Sequence, residues 1–363
     1  MKELGQIVFE MPPIKNNPRN SEGAFLQLKD GTIMFAYSHY TKDSHADGAP
    51  ASIGIIFSKD EGKTWSDRKI LFSPQEEKAQ NLMSVSLIRL NNGDIAIFYL
   101  VKRGYENQCT LHMRHSSDEG KSWSDAISCI SKPGYYVVNN DRVIILSSGK
   151  IMFLASKHEV LEENGEKRIN QKGQVHYFSS LDNGKTWVES PNISLLNVTQ
   201  TKSGLQEPGL ILLKDNLLMA WARTDLGRQY QMFSKDQGKT WSQPEPSFFT
   251  SPLSPLSMKR NPYTGHLFAV WNPIPNYQTR KISKAGWGRS PLICAISEDE
   301  GASWSNFSYI ETDEDAGFCY TAIHFTKDSI LLAYCAGGKE DKMNCLTKLR
   351  IRRIDLSEIQ NRE

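Results

Sequence analysis

The chain has few cysteines, no apolar run long enough to cross a membrane, no block of like charge and no sustained helical periodicity. Its six cysteines (Cys109, Cys129, Cys294, Cys319, Cys335 and Cys345) are scattered through 363 residues without a Cys-x-x-Cys pair. That spacing excludes a disulfide-stapled scaffold and offers no zinc-ligand cluster, so buried free thiols in a reducing compartment are expected. No segment approaches the roughly 20 apolar residues of a membrane span, and the opening MKELGQIVFEMPPIKNN lacks the uninterrupted apolar core of a secretory signal. A cytoplasmic protein with no membrane partner is the expectation. A formal net charge of +2, with 23% charged residues and no polybasic tract, argues against nucleic acid as a partner. The stretch Arg350–Arg353 (RIRR) reads as the solvated face of a last strand rather than a phosphate site. No Pro/Gly/Ser-rich linker divides the chain, so residues 1–363 are read as one domain.

Against these absences stands one repeat. Ser-x-Asp-x-Gly-x-(Thr/Ser)-Trp occurs at Ser58–Trp65, Ser116–Trp123, Ser180–Trp187, Ser234–Trp241 and Ser297–Trp304. The aspartates (Asp60, Asp118, Asp182, Asp236 and Asp299) are separated by 58, 64, 54 and 63 residues, the signature of an array of supersecondary units. Within each copy the Asp suits an Asx-turn, the Gly supplies a positive φ, and the Trp is free to pack back between neighbouring units. The octapeptides resemble the Asp-box of sialidases and of other Asp-box β-propellers. Boxes of that kind are structural, so their aspartates receive no catalytic role.

Between the repeats lie short apolar runs punctuated by Gly, Asn, Asp and Pro, an all-β pattern. Six hairpins are explicit: Phe25–Ser38, Val85–Leu100, Arg142–Ser156, Pro208–Arg223, Met258–Asn272 and Tyr320–Cys335, the first five each followed by an octapeptide. Six such units predict a six-bladed β-propeller with five Asp-boxes and four strands per blade. A strand near Ile7–Glu10 is expected to complete the last blade, because ring closure removes exposed edges. The long irregular stretch Pro273–Arg289 is a candidate wall of the site.

Functional groups on such a scaffold belong at the blade ends facing the central channel. There the chain carries Arg19, then Asp47 in the loop KDSHADGAP, Glu207 opening the fourth hairpin and Arg223 closing it, Arg289, and Tyr320 opening the sixth. This order resembles that of exo-sialidases of the Asp-box clan across nearly the whole chain, although Arg19 sits in Asn-Pro-Arg-Asn rather than in an Arg-Ile-Pro motif. The resemblance implies a carboxylate clamp of Arg19, Arg223 and Arg289, a nucleophile Tyr320, its proton acceptor Glu207 and an acid/base Asp47, with Asp43 and His45 as nearby rivals for that last role. Planar guanidinium groups suit an acidic sugar, and a neutral Tyr avoids the repulsion that a carboxylate nucleophile would meet from the sugar's own carboxylate.

Other polar residues at the same ends are candidate sugar contacts: Glu22, His45, Gln80, Asn139, Asp141, Arg142 and Gln206. The leading reading is a retaining exo-glycosidase acting on a terminal sialic acid or related acidic sugar, with an acidic oligosaccharide as substrate and no metal or cofactor. A polysaccharide lyase acting beside a uronic acid, with His45, Tyr135 or Tyr136 as base, is the first alternative. A non-catalytic propeller that binds glycans or proteins is the second.

Overall fold

The computed structural model describes residues 2–103, 108–163, 166–276 and 280–360. The fold is all-β; helix among the described residues is confined to two short 3-10 turns and Leu356–Gln360. No helix among them is long and apolar enough to cross a membrane. The apolar runs form short antiparallel strands because turn residues interrupt them every few positions. In the first hairpin Asp30-Gly31 makes the turn, Gly31 adopts φ 86°, and Leu28 N–H reaches Thr32 O at 2.8 Å.

Apart from a separate hairpin of Val160–Glu163 and Glu166–Ile169, the strands fall into six successive antiparallel groups, the first three joined into one sheet by short parallel pairings, Ala51 with Asn81 and Gly134 with Gln108. The first comprises Asn20–Gln27, Ile33–Tyr40, Ala51–Ser58 and Lys69–Phe72. The second runs from Asn81–Arg89 through Ile95–Lys102 and Gln108–Ser116 to Ile127–Ser128. In the third, two short segments, Gly134–Val137 and Ile144–Ile145, share the edge of Ile151–His158, which continues to Gln174–Ser180 and Val188–Ser194. Gln206–Leu212, Leu218–Arg223, Arg228–Ser234 and Glu245–Thr250 form the fourth; Ser257–Arg260, Leu267–Trp271, Leu292–Ser297 and Ser305–Glu311 form the fifth. The sixth joins Cys319–Phe325, Ser329–Cys335 and Leu349–Asp355 to a strand from the other end of the chain, Gln6–Met11.

Each octapeptide closes on itself. In the first, Ser58 Oγ donates to Asp60 Oδ1 at 2.8 Å and accepts from Gly62 N, while the Thr64 N–H and hydroxyl donate to the two Asp60 oxygens at 2.9 and 2.6 Å. The same bonds recur around Asp118, Asp182, Asp236 and Asp299. Threonine and serine hydroxyls donating to them hold all five carboxyls down at about 2. The glycine does two things: Gly62 has φ 83°, and a Cβ there would meet the Leu331 methyls of the sixth unit at 2.6 Å.

The tryptophans then seal neighbouring units together. Trp241 of the fourth stacks on Tyr177 of the third at 4.5 Å, and Trp187 of the third meets Phe98 of the second edge-on at 6.1 Å. Trp65 packs on Phe25 and Phe35 in a cluster that also holds Leu331, Ala333 and Ile351, so apolar packing joins the sixth unit to the first. Burying aromatic and aliphatic side chains at such seams stabilises by about 1.5–3 kcal/mol each.

One detail positions the site. The first strands of the first, second, fourth and sixth units each carry a register shift, between Ser21 and Ala24, Met83 and Ser86, Gln206 and Gly209, and Cys319 and Ala322. Such bulges kink a strand and re-aim a side chain.

Candidate active site

Inside the four bulges sit Glu22, Ser84, Glu207 and Tyr320, with φ of 52°, 57°, 46° and 59°. Left-handed backbone at a non-glycine residue costs roughly 1–3 kcal/mol and is retained where the surroundings enforce it. All four side chains line one cavity of about 320 Å³, together with Asp47, Asn139, Gln206 and Arg223. Four left-handed non-glycine positions therefore coincide with the points where four strands deliver a functional group to one space.

On one wall the Tyr320 hydroxyl donates to Glu207 Oε1 at 2.9 Å and accepts from Arg223 Nη1 at 3.3 Å. Arg223 Nη1 also lies 2.9 Å from Glu207 Oε2, an ion pair by charge and distance rather than by hydrogen-bond alignment. Gln206 Oε1 accepts from Arg223 Nε and Nη2 at 3.2 and 3.0 Å and fixes the guanidinium plane. Burial and the Glu207 carboxylate push the Tyr320 hydroxyl well above its ordinary value, against the opposing pull of Arg223 and Arg289. The hydroxyl thus keeps its proton at neutral pH, and its hydrogen-bond acceptor is a carboxylate able to take that proton.

Arg289 lies behind this group. Its guanidinium sits 5.5 Å from the Tyr320 ring centroid and 5.1 Å from that of Trp287. Its donors go to Cys319 Sγ at 3.0 Å and Leu253 O at 3.1 Å. Burial alone would raise the Cys319 thiol; contacts with Cys335, Cys345 and Arg289 outweigh it and bring the thiol well below its ordinary value.

The opposite wall is built on Arg19, which is 1% exposed. Arg19 Nη1 donates to Asp47 Oδ1 at 2.6 Å and His45 O at 3.2 Å, Nη2 to Glu22 Oε2 at 3.1 Å, and Nε to Ser21 Oγ at 3.0 Å. The guanidinium also lies 4.3 Å from the Tyr40 ring centroid. Burial pushes the Glu22 carboxyl up to about 6, partly offset by Arg19. Partial desolvation in the cavity mouth raises Asp47 too, but Arg19 and Lys102 prevail and hold it well below the usual carboxylate range. The Asp47 loop is held through its main chain by the second unit: Lys102 Nζ donates to Asp47 O at 3.0 Å, Asn81 Nδ2 to Ala49 O at 2.6 Å, and Gln80 Nε2 to Gly48 O at 2.5 Å.

The cavity thus brings together Tyr320, Glu207, Arg223, Gln206, Glu22, Asp47 and Asn139, drawn from four of the six units. Several expectations need correction. Arg142 does not face the cavity; it is buried, donates to Leu256 O at 2.5 Å and to Ser257 Oγ, and burial brings it down to about 10. Asp141 is likewise a tie, bound to Lys259 Nζ at 2.6 Å and Ile323 N at 3.0 Å. Gln80 positions the Asp47 loop, and His45 offers Arg19 its carbonyl; neither lines the cavity. Of the three expected clamp arginines only Arg223 lines it, since Arg19 and Arg289 are turned to protein acceptors. Tyr136 belongs to a hydrophobic core cluster, while Tyr135 lines the cavity. The stretch Pro273–Arg289, of which residues 277–279 lie outside the described residues, contributes Arg289 behind Tyr320 but no lining residue.

Sequence reasoning missed Ser84, Lys102, His158 and Gln171 among the lining residues. A signal for Ser84 was present: two residues beyond each bulged position stands a small residue, Ala24, Ser86, Gly209 or Ala322. Lys102 and His158 end the second strands of their units, beyond the turns and hairpins that a sequence pattern marks. Among the described residues no group of three His, Cys, Asp or Glu side chains is arranged to hold a metal ion.

Residues 31–332 match the family described as BNR repeat-like domain. A sialidase of Bacteroides fragilis is 24% identical over 340 residues, covering 84% of this chain and 57% of the relative, so the chain spans little more than half of that protein's length. The structure of a Hadza microbial sialidase superposes with a TM-score of 0.72 at 15% identity, covering 94% of this chain and 67% of that one. A leech intramolecular trans-sialidase complexed with 2,7-anhydro-Neu5Ac superposes with a TM-score of 0.71 at 15% identity, covering 99% and 71%. At these identities the structural likeness concerns the fold alone.

Proposed function

The chain belongs to the BNR repeat-like family of the sialidase superfamily, and on that premise we propose that it is a single-domain, six-bladed β-propeller that hydrolyses a terminal sialic acid from an oligosaccharide with retention of configuration. The observation that carries this reading is the Tyr320–Glu207–Arg223 group, a buried phenol hydrogen-bonded to a carboxylate at 2.9 Å and flanked by a cation. A buried tyrosine with that partner is equipped for nucleophilic attack rather than for packing.

The chemistry runs in two displacements. In the first, Tyr320 Oη attacks the anomeric carbon while its proton passes to Glu207. The bond to the leaving oxygen breaks, and Asp47 supplies that oxygen with a proton. In the second, water attacks the same carbon, Asp47 takes the water's proton, and Tyr320 leaves, recovering its proton from Glu207. A phenol bears no charge before attack, so it does not repel the substrate carboxylate, which is the rationale for tyrosine among these glycosidases. Arg223, the clamp member exposed to the cavity, supplies a fixed cation for that carboxylate. The lyase alternative retains only Tyr135 of its candidate bases in the cavity.

The test is release of 4-methylumbelliferone from its α-sialoside by the wild type and by Tyr320→Phe. Turnover lost in the variant supports the reading. Inactivity of a folded wild type, with appearance of an unsaturated, ultraviolet-absorbing product from uronic-acid oligosaccharides, would transfer it to the lyase.

A further inference from the structure

The Arg19 guanidinium is buried, and its acceptors differ sharply in accessibility. Ser21 and Glu22 are buried with it, and the His45 carbonyl is part of the main chain. Asp47 alone combines a full negative charge with solvent access: its side chain is 62% exposed against 1% for Arg19. A ligand anion approaching Arg19 from the cavity therefore has one group it can displace.

We propose that Asp47 is an internal stand-in for the ligand carboxylate on Arg19, so that an arriving carboxylate takes over the guanidinium and releases Asp47 to act on the leaving group. This rests on the carboxylate-binding reading of the cavity given above. Three features support it. The main chain at residues 47–49 is fastened by Lys102, Asn81 and Gln80, so the exchange needs only a side-chain rotation and leaves Asp47 at the cavity rim. Glu22, buried and bonded to both Arg19 and Ser21, stays behind and keeps Arg19 paired throughout. Finally, while Arg19 holds Asp47 the carboxyl is a poor proton donor, and the same displacement that seats the substrate removes that restraint. Binding and arming of the acid thus become one event, and a neutral ligand does not trigger it.

Calorimetric titration of wild type and Asp47→Asn with the glycal acid of N-acetylneuraminic acid, and with its methyl ester, tests the exchange. Removing the internal competitor is expected to tighten binding of the acid on the order of tenfold and to leave the ester unchanged. The gain should recur in Asp47→Ala and vanish when Arg19→Lys is added, with thermal melts verifying that each variant is folded. Equal or weaker binding of the acid by folded Asp47→Asn overturns the exchange while leaving the carboxylate site intact. Failure of both proteins to bind the acid overturns the site reading, and the exchange with it.

Discussion

The hydroxyl of Tyr320 and the carboxylate of Glu207 meet at 2.9 Å across 113 residues of chain, each delivered by a strand that bulges at that position. Neither residue is in relaxed backbone, with φ of 59° and 46°. Two strained positions converging on one hydrogen bond are what a site assembled for chemistry, rather than for stability, requires.

If that bond activates the nucleophile, removing either partner acts on rate and not on folding. Tyr320→Phe is expected to lower kcat for an aryl sialoside at least about 10³-fold, and Glu207→Gln about 10²–10⁴-fold. Thermal melting should move little in Tyr320→Phe, which deletes one hydroxyl. Steady-state kinetics beside a melt separates the two effects, and a Tyr320→Phe enzyme of undiminished kcat would remove tyrosine from the mechanism.

Glu22 gives a pH signature in stability. Its carboxyl titrates at about 6 when folded against an ordinary value of 4.5, so the group favours the folded state most below pH 4.5 and that contribution is lost as pH rises through 6. The difference corresponds to about 2 kcal/mol. Urea unfolding at pH 4.5 and 6.5 should show the wild type losing roughly that much relative to Glu22→Gln. Parallel pH profiles would mean that Glu22 is not protonated in this range.

Arg142 ties the third unit to the fifth through Leu256 and Ser257 and does not line the cavity, so a structural role is the expected one. Arg142→Ala takes from the Leu256 carbonyl one of its two donors, Trp221 Nε1 remaining at 3.0 Å, strips Ser257 Oγ of the Arg142 donor and leaves a buried gap, and should cost about 2–4 kcal/mol. KM of the folded fraction should stay within about twofold, because the side chain does not reach the cavity. A tenfold rise in KM at unchanged stability would restore the binding role.

Trp241 tests the seams. It stacks on Tyr177 of the preceding unit at 4.5 Å with ring planes 13° apart, so Trp241→Ala opens a cavity between two units and should cost about 3–5 kcal/mol. Denaturant midpoints would show it. A loss under 1 kcal/mol would mean that the third and fourth units are held together elsewhere.

The parts of this molecule that could be read from sequence are those encoded locally. Asp60 and its four counterparts bond only within their own turns, and Asp30-Gly31 makes its hairpin with adjacent residues, so pattern alone revealed them. The order of Arg19, Asp47, Glu207, Arg223 and Tyr320 was legible because each sits at the end of a recognisable hairpin or in a distinctive loop. What escaped depends on partners distant in the chain. Asp141 and Arg142 looked equivalent to Asn139, yet Lys259 and Leu256, more than 110 residues away, claim them for the interior. Arg289 donates to Cys319, thirty residues on, a contact that no spacing rule connects to it. Lys102 carries no motif at all; only the folded path of the Asp47 loop gives it a task.

The pairing of Gln6–Met11 with Leu349–Asp355 sets a timetable for biosynthesis. Gln6–Met11 leaves the ribosome well before its partner, which at about 5–20 residues per second is made tens of seconds later. Throughout that interval the nascent first unit waits beside an unfilled neighbour, its Phe25, Phe35 and Trp65 lacking the Leu331 and Ile351 that cover them at completion. Protease protection of arrested nascent chains should therefore arise late, once the codons for 349–355 have been read and emerged, rather than accumulate unit by unit. In the cell, chaperone occupancy and the hazard of strand exchange between neighbouring polysomal chains should peak just before that moment.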